Sequence, residues 1–312
     1  MKEALDHPEI SLVIPVYNEE ESVKLLHQEI VSVLQEIGRS YEIIFVDDGS
    51  TDGTGEVLGG LVPATVIIFA RNFGKSQALQ AGFDEARGDY IVTLDGDLQD
   101  DPREIPRMLA RAEQGIDLVC GWKRKRRDPF SKRFVSKVAN GVTRMLTGTH
   151  VHDMNCGFKV YRKEFAKSIQ FFGDMHRYIP AVAAVKGFSV DELEVEHRKR
   201  AFGNSKYGIA RLVSGLFDFI TLLFLRKFTD RPMHFFGGIG FILEVLGLGI
   251  LAYLSLLKVV QGAAIGDRPL LLFGVLLAIV GLQLLSLGLL GELIIRQKTD
   301  TRMFAIREII RT

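Results

Sequence analysis

The chain has 312 residues, room for one large α/β domain plus an appendage. Its 39 basic and 38 acidic residues leave a formal net charge of +1, which excludes a global field that would draw it to nucleic acid. Two cysteines, Cys120 and Cys156, give neither zinc-ligand spacing nor a disulfide framework and are read as inert thiols of a reducing compartment.

The N-terminal segment MKEALDHPEISLVIPVYNEE carries charge throughout and lacks an apolar stretch followed by a small-residue cleavage site, so no secretory signal is expected. Ile10–Ile14, Glu42–Val46, Thr65–Phe69, Tyr90–Leu94 and Asp117–Gly121 are short Ile- and Val-rich runs, separated by segments of helical period such as Glu20–Ile37 and Ser76–Arg87. Strands alternating with helices predict a mostly parallel sheet. Beyond Gly121 come a basic loop (Lys123–Arg127), a helix near Ser131–Leu146, the stretch Asp153–Tyr161, a helix near Arg177–Lys186, a strand over Phe188–Glu196 and a second basic loop reaching Lys206.

Ile209–Phe228 alternates apolar clusters with Arg211, Asp218, Arg226 and Lys227, the pattern of a helix lying on a membrane surface. Between Phe235 and Gly291 only Glu244, Lys258, Asp267 and Arg268 are charged, and Phe235–Leu257 and Leu270–Gly291 each exceed the roughly 20 apolar positions a helix needs to cross a bilayer. The organisation read from this is a catalytic domain over 1–208, a juxtamembrane amphipathic helix over 209–234, a two-helix transmembrane hairpin over 235–295 and a basic tail over 296–312. Arg226, Lys227 and Arg231 before the first span and Arg296, Lys298 and Arg302 after the second place both termini and the catalytic domain in the cytoplasm of a multi-pass inner-membrane protein. Small-residue faces such as Gly237-Gly238-Ile239-Gly240 and Gly247-Leu248-Gly249 suit association of copies in the membrane.

Three polar clusters end predicted strands: Pro15-Val16-Tyr17-Asn18-Glu19, Asp47-Asp48-Gly49-Ser50-Thr51-Asp52 and Asp95-Gly96-Asp97-Leu98-Gln99. The carboxyl ends of parallel strands are where open α/β sheets bind ligands. Asp95, Asp97 and Gln99 offer hard oxygens suited to Mg²⁺ or Mn²⁺, and such an ion would neutralise a diphosphate leaving group. The first strand is followed by no G-x-G-x-x-G, which excludes a nicotinamide-binding turn, and Phe69 stands where a P-loop before Gly74-Lys75-Ser76 would need its first glycine. His150 and His152 have no third His or Cys at zinc spacing nearby.

These clusters, with Asn72-Phe73-Gly74-Lys75, Asn155-Cys156-Gly157-Phe158-Lys159 and Gly203-Asn204-Ser205-Lys206-Tyr207 in the same order, make the chain resemble the family 2 glycosyltransferases of GT-A fold over nearly its whole length. The resemblance is greatest to the polyisoprenyl-phosphate branch, which includes dolichol-phosphate mannose synthases and bactoprenol glucosyltransferases. It implies that Pro15, Tyr17, Glu19, Asp47 or Asp48, Lys75, Asp95 and Gly96 bind the nucleotide, that Asp95, Asp97 and Gln99 hold the metal, and that Arg133 and Ser136 bind the acceptor phosphate. Lys123, Arg124, Arg198 and Lys206 add basic charge for a lipid phosphate near the bilayer. Asp95, Asp97, Lys123 and Arg133 are thus the candidate catalytic groups. The expected reaction is an inverting transfer of a hexose, UDP-glucose being the first choice of donor, to polyisoprenyl phosphate. GDP-mannose or another donor, and a polysaccharide acceptor, are the alternatives; the sole tryptophan, Trp122, lies outside the Gln-x-x-Arg-Trp signature of processive synthases.

Overall fold

The computed structural model describes residues 7–124, 150–171, 173, 175–198, 232–262, 264–266, 268–296 and 306–311. The expected helices near 131–146 and 209–228, with Arg133, Ser136 and Lys206, lie outside them. The chain divides into two compact units, 1–219 with 302–312, and 220–301.

In the first unit, β1 (Ile10–Val16), β2 (Tyr41–Asp47), β3 (Thr65–Phe69), β4 (Tyr90–Thr93), β5 (Leu118–Trp122), β6 (Lys159–Arg162), β7 (Val190–Glu194) and β8 (Ile306–Arg311) form one sheet in the order β7-β5-β6-β4-β1-β2-β3-β8. β1, β2, β3 and β4 pair in parallel, as do β5 and β7; β6 runs antiparallel between β4 and β5. The central strands are buried on both faces, which explains why they read as continuous apolar runs without alternation.

Helix α1 (Val23–Ile37) buries Val23, Leu26, Ile30, Val33 and Leu34 at three- and four-residue spacing. It ends at Gly38, whose φ of 69° carries the left-handed turn while its N–H bonds the Leu34 carbonyl. Helices α2 (Thr54–Gly59), α3 (Lys75–Glu85) and α4 (Ile105–Ala112) follow β2, β3 and β4, while α5 (Lys163–Ser168) and α6 (Ile179–Val185) follow β6.

The stretch 296–312, expected as a basic tail, contains β8. β8 returns to the catalytic sheet and pairs antiparallel with β3, Val66 opposite Ile310 and Ile67 opposite Ile309, with Ile310 packed against the core. β6 was likewise unmarked in the sequence.

The second unit is a hairpin of α7 (Pro232–Gln261) and α8 (Pro269–Arg296), both long and apolar enough to cross a membrane, with mean hydropathies of 2.1 and 2.6. Glycines let the two backbones approach. A Cβ on Gly247 would stand 2.6 Å from the Ala278 nitrogen, and one on Gly281 would stand 2.6 Å from that of Glu244. Gly240 is also spent on this seam, meeting Gly281 and Leu285, whereas Gly238 and Gly249 face open space. Of the faces expected to join copies, the most constrained glycines therefore serve packing within one chain.

Candidate functional site

The three polar clusters lie on one rim and are stitched together. Asn18, with φ of 52°, accepts the Thr51 N–H at 2.8 Å and donates its own N–H to Ser50 Oγ at 2.8 Å; Glu19 N–H donates to Thr54 Oγ1 at 2.9 Å. Ser22 Oγ donates to the Gly96 carbonyl at 2.8 Å, tying the loop after β1 to the loop after β4. Gly96 has to be glycine, since a Cβ there would stand 2.7 Å from Val16 Cγ1.

Asp47 and Asp48 are buried. Asp47 accepts from Ser50 N–H at 2.9 Å and Ser50 Oγ at 2.5 Å, while Asp48 accepts from Phe73 N–H at 2.7 Å and Gly74 N–H at 2.9 Å. Both carboxylates, expected as ligands of base or ribose, are here engaged in holding the loops that frame the rim. Gly49, which follows Asp48, has φ of 70° and lies against the Arg71 backbone, so no side chain fits there.

Burial pushes the Asp48 carboxyl up to about 6, with the charge of Asp47 adding to it against the Phe73 and Gly74 N–H bonds. The folded chain therefore holds this proton more tightly than the unfolded chain. The corresponding stability, about 3 kcal/mol, is fully present below pH of about 4 and is lost as pH rises through about 6. Compared with Asp48→Asn, the thermal midpoint of the wild type should fall by several degrees as pH rises from about 4.5 to about 7.5. A gap between the two that stays constant over this range would refute the assignment.

On the loop after β4, Asp95 and Lys75 form an ion pair, Asp97 accepts the Gln99 N–H at 3.2 Å, and Leu98 takes a φ of 59°. Burial raises the Asp95 pKa, but Lys75, Lys123 and Lys159 outweigh it and hold the carboxyl well below the usual range. Gly157, from the segment before β6, lies so close that a Cβ would fall within the Asp95 carboxyl group.

The segment after β7 closes over this loop. His197 pairs with Asp100 through its backbone, Arg198 N–H donates to the Gln99 carbonyl at 2.9 Å, and the His197 ring approaches the Gln99 amide at 3.4 Å. Among the described residues no three His, Cys, Asp or Glu side chains converge at metal distance. A divalent cation would rest on the Asp97 carboxylate and the Gln99 amide oxygen, with the remaining positions left to substrate phosphate and water. That donor set suits Mg²⁺ or Mn²⁺, which take one or two carboxylates plus phosphates.

Two of the residues expected at the acceptor phosphate carry protein partners. Lys123 is buried and ion-paired with buried Asp100 at 2.6 Å, its pKa raised by that partner against the opposing effect of burial. The guanidinium of Arg198 is taken by Glu29 at 2.7 Å and Asp101 at 2.8 Å. Both brace the loop after β4. Arg124 pairs with Glu194 at 3.3 Å and covers the Trp122 ring, yet its side chain stays 64% exposed.

Comparison with known proteins agrees with this geometry. The model of Glycosyl transferase family 2 matches residues 11–170. A Rhizobium johnstonii protein described as dodecaprenyl-phosphate galacturonate synthase is 40% identical over 92% of this chain and 88% of its own. An Aeromonas hydrophila protein described as undecaprenyl-phosphate 4-deoxy-4-formamido-L-arabinose transferase is 35% identical over 97% and 94%. Among solved structures, Mycobacterium tuberculosis glucosyl-3-phosphoglycerate synthase with Mn²⁺ and uridine-diphosphate-glucose superposes with a TM-score of 0.53 at 22% identity, over 72% of this chain and 80% of that one, which shows the shared GT-A fold. The chain belongs to glycosyl transferase family 2 and is a glycosyltransferase.

Proposed function

We propose that the enzyme transfers a sugar from a uridine diphosphate donor to the phosphate of a polyisoprenyl lipid, with inversion at the anomeric carbon. The observation that carries this reading is the stitched rim itself, in which an ion-paired Asp95 and an oriented Asp97 and Gln99 face the loop after β1. The lipid acceptor is supported by the descriptions of the 40% and 35% identical relatives and by the apolar hairpin that follows the catalytic unit. Glucose, the first expectation from sequence, is not what those relatives are described as transferring, so galacturonate and 4-deoxy-4-formamido-L-arabinose take precedence as donors to test.

A phosphate monoester is already anionic near neutral pH, so its attack on the anomeric carbon needs positioning and charge neutralisation more than a base. A bound Mg²⁺ or Mn²⁺ supplies Lewis-acid stabilisation of the departing diphosphate. Lys75 keeps Asp95 in place, and the Lys123–Asp100 and Arg198–Asp101 pairs keep the metal-bearing loop rigid. Exposed Arg124, with Arg133, Ser136 and Lys206, is the reading for the acceptor phosphate. Because 302–312 and 1–219 belong to one compact unit, a hairpin that spans a membrane has both flanks on the same face, in keeping with a cytoplasmic catalytic domain on an inner membrane.

The test is transfer of label from radioactive nucleotide sugars to polyisoprenyl phosphate by the purified full chain with Mn²⁺ or Mg²⁺. Lipid-extractable label from one donor, abolished by chelation and of inverted configuration, is the expected result. A folded protein that labels no lipid from any donor overturns the acceptor, and retained configuration overturns the displacement.

A further inference from the structure

We infer that the cleft beneath Asp95 receives an acidic substituent of the donor sugar, a carboxylate, and that Lys159 selects it; this rests on reading the rim as a nucleotide-sugar site. Lys159 opens β6 and is 2% exposed, yet among the described residues its Nζ bonds only the Cys156 carbonyl. Among the described residues no carboxylate lies within ion-pair distance of it. The neighbouring lysines differ: Lys75 has Asp95 and Lys123 has Asp100.

The ionised carboxylate that senses Lys159 is Asp95, which Lys75 already engages, and the other groups lining the cleft add no negative charge. Burial pushes the thiols of Cys120 and Cys156 up to about 12 and about 11, so both remain neutral. His176 lines the opposite wall, its Nδ1 2.9 Å from Ser76 Oγ; burial and the nearby Lys75 hold it well below its usual range, so it too is neutral. Thr93 and Asn155 complete a polar lining. About 10 Å³ is open to the centre of a water-sized group, room for one such group and too little for a ring. A buried cation with two donor hydrogens to spare, facing a slot of that size next to the metal-bearing loop, fits one carboxylate oxygen. The same chemistry would fit an oxygen of the diphosphate, and the experiment separates the two.

Binding of UDP-galacturonate, UDP-galactose, UDP-glucuronate, UDP-glucose and UDP alone to the full chain in Mn²⁺ is measured by calorimetry without acceptor. At least one uronate should bind about 30-fold more tightly than its neutral counterpart, Lys159→Met should erase that ratio while UDP alone binds as to wild type, and Lys159→Arg should keep most of it. Equal binding of both uronates and their neutral counterparts by the wild type overturns the inference. So does a Lys159→Met variant that weakens UDP as much as the uronate, because Lys159 would then hold the diphosphate. If Lys159→Met does not fold, the wild-type ratios decide alone. Uronate preference without transfer to lipid upholds this subsite and overturns the acceptor; transfer to lipid without uronate preference does the reverse.

Discussion

Asp97→Ala is expected to lower metal-dependent transfer by about 10³-fold while leaving the fold intact. Asp97 is partly exposed on the loop after β4, and the Gln99 N–H that it accepts orients its carboxylate without tying the side chain into the core. Removing it takes away the carboxylate on which a cation would rest, since Asp95 is engaged by Lys75. Affinity for Mn²⁺ should fall with activity, and excess Mn²⁺ should restore part of the rate. A loss below about 10-fold, or one that Mn²⁺ does not influence, would place the cation elsewhere.

Gly157→Ala should cost about 10²-fold, from a residue that carries no functional group. The backbone at Gly157 is not in the left-handed region, so alanine is conformationally allowed there. The new methyl would nevertheless fall within the Asp95 carboxyl, forcing it off Lys75 and moving the loop that bears Asp97 and Gln99. Gly266→Ala, whose methyl meets nothing within 4 Å, is the matched control and should keep full activity. Activity in Gly157→Ala equal to that of the control would mean that the Asp95 position is not held from this side.

Much of this was legible in the sequence. β1 to β5 announced themselves because strands buried on both faces must be runs of Ile, Val and Leu, and the acid clusters could be placed because each follows such a run. The two apolar helices were legible from composition alone. β6 was not, since four residues beginning with a buried lysine carry no strand pattern. Partner choice was also invisible: a basic run announces charge, but only the fold reveals that Lys123 and Arg198 are consumed by Asp100, Glu29 and Asp101. The His197 ring meets the Gln99 amide across 98 positions, beside a backbone bridge to Asp100 that no local motif encodes. The burial of Asp48 was not legible either, because an exposed acidic turn and a buried one have the same letters.

β8 has a consequence for how the molecule is made. β8 lies after both apolar helices in the chain, so the edge of β3 cannot be covered until residues 306–311 have been made and the chain has turned back. Until then β3 presents an unpaired edge, open to the wrong partner. If the hairpin spans a membrane, an arrangement in which one helix alone crossed would strand Ile306–Arg311 across the bilayer from β3, leaving the sheet unfinished.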